Sequence, residues 1–384
     1  MAADLPADIL EILFAESQSS SADSGGDVGA AALCGLVCKA WLPASRARVF
    51  SSVTIKERNA QSFLDVAKTS ALPLKSFIRM LQLTVRKGDE FFESNSIKEL
   101  GPLPNATTLR MKADAEGWIP ALADTFFPNN FPRLANLDLA VSDFTSISMR
   151  DILAAITPFP TLETLKLDVK GHGFNFMDDS VPDVYQIPPH WRTLVFDMEM
   201  AETFWEILFE MEEADMITIP VFSQLRMQGS WPQERSFLGR YLRGYGHKMM
   251  ALSFDCSDDN MFNPPGALRY CTALHRLDLR LDTRKVPATL ISVIEHIRSL
   301  SFAEINVFDP DRLTSRSLSG RQVDKWQKLD QALSEERFAG LKKLSFMIPT
   351  PGNLADKLLE NMTSCAARGI LRVTEMEAYI VETS

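Results

Sequence analysis

The sequence predicts an α/β fold: an all-α module at the N-terminus, then an irregular solenoid of strand–turn–helix coils with a curved parallel sheet. Three observations predict it. A short apolar unit recurs ten times, residues at helical spacing lie between the units, and two short apolar helices precede the first unit. We assign residues 1–56 to the module, 57–75 to a linking helix and 76–384 to the solenoid.

The recurring unit has the form apolar-x-x-Leu-x-apolar. Its central leucines from 81 to 300 follow one another at steps of 28, 28, 28, 29, 31, 27, 25 and 23 residues. Strand side chains alternate, so the central Leu and the apolar residue two places later share one buried face. The ten units are Ile78/Leu81/Leu83, Ala106/Leu109/Met111, Leu134/Leu137/Leu139, Leu162/Leu165/Leu167, Trp191/Leu194/Phe196, Phe222/Leu225/Met227, Met249/Leu252/Phe254, Leu274/Leu277/Leu279, Ile297/Leu300/Phe302 and Leu341/Leu344/Phe346.

The segments between the units carry apolar residues at the spacing of one helix face, as in Phe204/Ile207/Leu208/Met211 and Leu290/Val293/Ile294/Ile297. A single strand–turn–helix coil cannot bury its own apolar edge, so successive coils must stack. This arrangement resembles the leucine-rich-repeat family over residues 76–384. The Asn or Cys that the family places after each strand is mostly missing, with Ser142 and Lys170 at two such places. We therefore expect irregular coils.

The N-terminal module begins with Leu5-Pro6 and continues with Ile9-Leu10 and Ile12-Leu13, which predicts a short helix with Pro near its start. A polar stretch from Ser17 to Gly29 separates it from a second apolar helix, which contains Val37-Cys38-Lys39-Ala40-Trp41. Residues 5–56 resemble the F-box of fungal-type F-box proteins. The trailing Phe50 and a strand ending at Ile55 also match.

The F-box resemblance implies docking to the Skp-type adaptor of a cullin-based ubiquitin ligase, with the repeats as receptor for a target protein. We therefore expect a substrate-recognition subunit. Alternatively, some of the adaptor-binding candidates pack only within the module. A second hypothesis is a protein-binding scaffold with no ligase role, whose N-terminal helices only cap the solenoid. The adaptor-binding candidates are Leu5, Pro6, Ile9, Leu10, Leu13, Val37, Trp41 and Phe50.

The target-binding candidates flank the central leucines on the opposite side of each strand. Their charges alternate in sign, which predicts a mixed polar surface rather than a phosphate-binding stripe. These candidates are Arg110, Lys112, Asp138, Lys166, Asp168, Arg226, Asp278 and Arg280.

Composition and motifs argue against other classes of protein. A net charge of −10 and a pI near 5.2 argue against a nucleic-acid partner, and no apolar run is long enough for a membrane helix. Five irregularly spaced cysteines fit reduced thiols in the cytoplasm or nucleus. We find no catalytic motif and no metal-ligand spacing, and therefore expect no enzyme activity and no cofactor. The expected partners are the adaptor, through it a cullin, and an unknown target.

Overall fold

A computed structural model of the chain describes residues 42–69, 74–86, 99–113, 126–144, 149–171, 185–197, 201–227, 232–257, 265–282, 286–308, 323–348 and 354–375. The chain divides into two compact units, residues 1–190 and 191–384. Most of the predicted F-box-like module, residues 1–41, lies outside the described residues.

The first unit contains five strands that lie in chain order, each parallel to the next. Their central residues are in register and equally spaced along the chain: Val53, Leu81, Leu109, Leu137 and Leu165. The strands are β1 (Ser52–Lys56), β2 (Met80–Val85), β3 (Thr108–Ala113), β4 (Asn136–Phe144) and β5 (Thr164–Gly171). The described helices are α1 (Leu42–Val49), α2 (Glu57–Thr69), α3 (Leu74–Phe77), α4 (Phe126–Asn130) and α5 (Met149–Ile156).

The second unit repeats the arrangement with seven parallel strands in chain order. They are β6 (Thr193–Asp197), β7 (Gln224–Met227), β8 (Ala251–Ser257), β9 (Arg276–Asp282), β10 (Glu304–Phe308), β11 (Lys343–Ile348) and β12 (Leu371–Glu375). Its described helices are α6 (Ala201–Glu213), α7 (Phe237–Tyr245), α8 (Val286–His296), α9 (Val323–Leu333), α10 (Leu354–Asn361) and α11 (Thr363–Ala367). Short 3-10 turns lie at Gly246–Lys248, Gly266–Tyr270 and Glu336–Phe338.

The predicted α/β architecture with a parallel sheet is confirmed in the described residues. The unit Ile297/Leu300/Phe302, however, was wrong. Leu300 is 87% exposed, and the strand centres on Ile305, which lies in register with Leu277 and Leu344. Ile297 belongs to the apolar spacing of α8 and directly follows the end of that helix. Its match to the first position of a strand unit was therefore a coincidence.

Two strands lie outside the ten predicted units. β1 pairs with β2, so the parallel strands begin at Ser52, inside the segment assigned to the F-box-like module. β12 pairs with β11 through Leu344 and Leu371. The pattern missed β12 because Arg368 occupies the place of the first apolar residue. The Arg368 guanidinium donates instead to the carbonyls of Leu333 at 2.8 Å and Phe338 at 2.9 Å.

Within each unit, a main-chain hydrogen-bond ladder joins most coils to the next at the start of the strand. The carbonyl of Thr107, for example, accepts from the N–H groups of both Ala135 and Asn136 at 2.9 Å. Backbone groups therefore hold the register here, which leaves the length of each coil free to vary. The same double acceptance occurs at the carbonyls of Ser51, Arg79, Ala135, Arg192, Ser223, Met250, His275 and Ala303.

A buried carboxylate ties two helices of the second unit together. Asp330 on α9 is 5% exposed, and its Oδ2 and Oδ1 accept from the N–H groups of Ser364 at 2.8 Å and Cys365 at 2.9 Å. These N–H groups lie in the first turn of α11, where helix donors have no partner within the helix. Burial opposes its charge, but the hydrogen bonds from Ser364 and Cys365 outweigh this and lower the pKa of Asp330.

Candidate binding surface on the strands

The predicted adaptor-binding residues lie outside the described residues, except Phe50. Phe50 is half-buried and directly follows α1, and its N–H donates to the carbonyl of Arg46 at 2.9 Å. α1 packs against α3, and β1 follows Phe50 after one residue. Phe50 therefore leads into the first strand of the repeat. Its contact with an adaptor stays a prediction.

Burial alternates along most strands, as the repeat predicts. β2 and β3 bury Leu81, Leu83, Leu109 and Met111 and leave the residues between them open. We call the side that carries the residues one and three places after each central apolar residue the strand face. All eight predicted target-binding residues lie on it: Arg110, Lys112, Asp138, Lys166 and Asp168 in the first unit, and Arg226, Asp278 and Arg280 in the second. Whether they bind a target stays a prediction.

In the first unit, three predicted residues form one row across neighbouring strands. Asp138 Oδ2 lies 3.5 Å from Arg110 Nε and 3.8 Å from Lys166 Nζ. Partial burial raises the pKa of Asp138, and the two cations oppose that shift only in part. The row is thus internally paired, with the carboxylate between its cations.

In the second unit, the corresponding row runs through Arg226, Ser253, Asp278, Asn306, Ser345 and Arg372. Arg276 holds the Asp278 carboxylate through two hydrogen bonds, Nε to Oδ1 at 2.9 Å and Nη2 to Oδ2 at 2.7 Å. The Asn306 Nδ2 donates to the same Oδ1 at 2.7 Å. Such bidentate, charge-assisted contacts fix both the position and the orientation of the carboxylate.

Asn306 and Ser345 lie next to each other in this row and are only 2% and 1% exposed. Within the described residues, neither the Asn306 Oδ1 nor the Ser345 Oγ has a hydrogen-bond partner. Buried polar atoms usually have a partner, so two neighbouring exceptions point to a site. We call Asp278, Asn306 and Ser345, with Arg276, the amide cluster.

Sequence reasoning identified only one member of the amide cluster, Asp278. Asn306 was missed because the ninth unit was centred on Leu300, too early in the chain. Centring that unit on Ile305 pairs it with Leu277 and places Asn306 directly after the centre, as Asp278 is. Ser345 follows the correctly predicted Leu344 but was not singled out because it carries no charge.

No metal cluster is found in the described part of the chain. No group of three metal-ligating side chains occurs among those residues, and none of the helices found there has the length and apolar character to cross a bilayer. Cys271 and Cys365 are free, buried thiols, and burial raises the pKa of each to about 12. Both therefore remain protonated and unreactive at neutral pH.

Neither the scan against protein-family models nor the search of curated proteins finds a match to this chain.

Proposed function

We propose that this protein is the substrate-recognition subunit of a Skp-cullin-F-box ubiquitin ligase. One observation carries the receptor half of the proposal: most strands of each unit present an in-register polar face opposite a packed apolar core. A receptor for another protein needs such a broad surface with fixed polar groups. The adaptor half rests on Leu5-Pro6 and on Val37 to Trp41 of the sequence.

In this function the protein acts by position rather than by chemistry. The N-terminal segment holds the adaptor and the strand face holds the target, so the target is kept at high effective concentration near the ubiquitin-transferring subunits.

A scaffold without a ligase role is the second candidate, and one observation favours it. β1 pairs with β2 and α1 packs against α3, so residues 42–56 belong to the repeat. A repeat array needs a terminal coil that shields its apolar end from water. The N-terminal segment would then act as that cap and bind no adaptor.

Co-purification with a Skp-type adaptor separates the two candidates. The ligase proposal predicts that the wild-type chain retains the adaptor and that Leu5→Ala combined with Trp41→Ala weakens retention at least about tenfold, as loss of apolar anchors does. Leu359→Ala removes an apolar side chain that is 43% exposed on α10 and serves as the matched control.

A wild-type chain that retains no adaptor would overturn the ligase proposal and leave the scaffold. The melting temperature of the double variant separates loss of a binding contact from loss of the cap. Reduced retention with an unchanged melting temperature supports docking, whereas retention that falls only together with the melting temperature supports the cap.

A further inference from the structure

The strand face loses its open character at β10 and β11. Elsewhere buried and open residues alternate, as they do along β1, β2 and β3, but three consecutive residues of β10 and five of β11 are buried. Both sides of these two strands are therefore packed. Polar groups at Asn306 and Ser345 are consequently shut off from water at a place where the residues of the other strands are half-buried or exposed.

The orientation of the Asn306 side chain is fixed by its neighbour. A carboxylate only accepts hydrogen bonds, so the amide nitrogen of Asn306 must be the atom that faces Asp278 Oδ1, 2.7 Å away. Arg276 holds that carboxylate from the other side. The Asn306 Oδ1 must then face away from Asp278.

Ser345 is the register partner of Asn306 on β11, and β11 lies on the opposite side of β10 from Asp278. The Asn306 Oδ1 can only accept, whereas the Ser345 hydroxyl can donate. An acceptor beside a donor is the complement of a carboxamide, which offers an N–H and a carbonyl oxygen at one end.

Charged ligand groups fit the amide cluster poorly. A carboxylate would bring an oxygen against the Asn306 Oδ1, and a cation would find the nearby Asp278 carboxylate already held by Arg276 and by the Asn306 amide nitrogen. Burying either charge also carries a large desolvation cost. Phe308 and Met347, in register two places further along the same strands, add an apolar border.

We propose that Asn306 and Ser345 recognise an uncharged carboxamide, the side chain of an asparagine or glutamine in an apolar segment of the bound target. The inference deepens the proposed receptor function and rests on it. In the complex, the carboxamide N–H donates to the Asn306 Oδ1 and its carbonyl accepts from the Ser345 hydroxyl, which satisfies both buried polar groups.

Three synthetic peptides test this proposal by ligand-observed NMR titration with the full-length chain. They are acetyl-Ala-Leu-Gln-Leu-Ala-N-methylamide and its analogues with Glu or norleucine at the centre. A site built for a hydrogen-bonding group rejects analogues that leave it unpaired. The glutamine peptide is expected to bind at least about tenfold tighter than either analogue.

The variant Ser345→Ala is expected to bind the glutamine peptide about five- to tenfold more weakly, because one hydrogen bond is lost. Its melting temperature should stay unchanged or rise, because the hydroxyl has no partner to lose. Ser253→Ala makes the same substitution in the same row, on the far side of Asp278, and should leave peptide binding unchanged.

Equal affinity for the three peptides, or an equal loss in the Ser253 variant, would overturn the proposal. A lower melting temperature of Ser345→Ala would do so too, because it would show that the hydroxyl satisfies a group within the fold. The adaptor co-purification is independent of these outcomes: retained adaptor with indistinguishable peptides would remove the carboxamide site and leave the ligase function standing.

Discussion

The two units bury equivalent apolar residues but differ in what holds their coils together. In the first unit the central residues are evenly spaced along the chain from Val53 to Leu165. In the second unit the spacing is uneven: the interval from Leu252 to Leu277 is shorter, and the interval from Ile305 to Leu344 is much longer. Since the main-chain ladder joins coils in both units, a uniform period is not required for strand pairing.

The variable coils of the second unit depend on long-range side-chain caps. Asp330 satisfies the first turn of α11, and Arg368 satisfies carbonyls at the end of α9 and in the following 3-10 turn. In the first unit, a side chain that joins two coils can make a single hydrogen bond, as the Thr161 hydroxyl does when it donates to the Leu134 carbonyl at 2.8 Å. In the second unit, coils of irregular length are thus joined by hydrogen bonds of the Asp330 and Arg368 side chains, which we call polar anchors.

The largest expected effect tests the register of the second unit. Ile305→Ala should reduce the free energy of unfolding by about 2–5 kcal/mol, because Ile305 is 1% exposed at the centre of β10. Leu300→Ala is the matched control and should change it by less than about 0.5 kcal/mol, because Leu300 is 87% exposed. Chemical denaturation of both variants measures the difference. Equal costs would contradict the placement of β10.

Removal of a side-chain cap should have the next largest effect. Asp330→Ala leaves two N–H groups of α11 without acceptors and should cost about 1–3 kcal/mol at neutral pH. Because the folded-state pKa of Asp330 is lowered, its contribution is present above the ordinary value of 3.8 and is lost as the pH falls through the folded-state pKa. The wild type and the variant should therefore converge in strong acid.

Denaturation across a pH series measures this cost, with Gln331→Ala as the control because Gln331 is exposed on the same helix. A difference between wild type and Asp330→Ala that stays constant from neutral to strongly acidic pH would show that the carboxylate charge is not what the cap uses.

The sequence predicted the features of the fold that depend on the spacing of apolar residues. Apolar residues alternate within each strand, and the strands recur at a nearly constant interval along the chain. These two periods determine the parallel array of strands. They also determine the side of the strands on which Arg110, Asp138 and Asp278 lie. Periodicity failed at two places, β12 and β10, where a residue of the unit departs from the apolar-x-x-Leu-x-apolar form. Arg368 occupies an apolar place in the coil before β12, and an apolar residue on an exposed turn, Leu300, matched the pattern better than Ile305 did. The amide cluster depends on that shifted register and on cross-strand contacts, which spacing alone does not contain.

The smallest expected effect concerns the charge row of the first unit. Burial raises the pKa of Asp138, so its charged form is disfavoured on folding even beside Lys166 and Arg110. Stability linked to this group is fully present below the ordinary pKa of 3.8 and is lost as the pH rises through the folded-state pKa. The asparagine in Asp138→Asn carries no charge. At neutral pH, the free energy of unfolding of the variant should therefore be between that of the wild type and about 1 kcal/mol above it.

Denaturation at neutral pH and below pH 3.8 measures the Asp138→Asn effect, and Asp168→Asn on the neighbouring strand β5 is the control for loss of one negative charge from the strand face. A clear loss of stability in Asp138→Asn at neutral pH would mean that the ion pairs outweigh burial. The first unit would then depend on polar anchors as the second does, and the contrast between the two units would disappear.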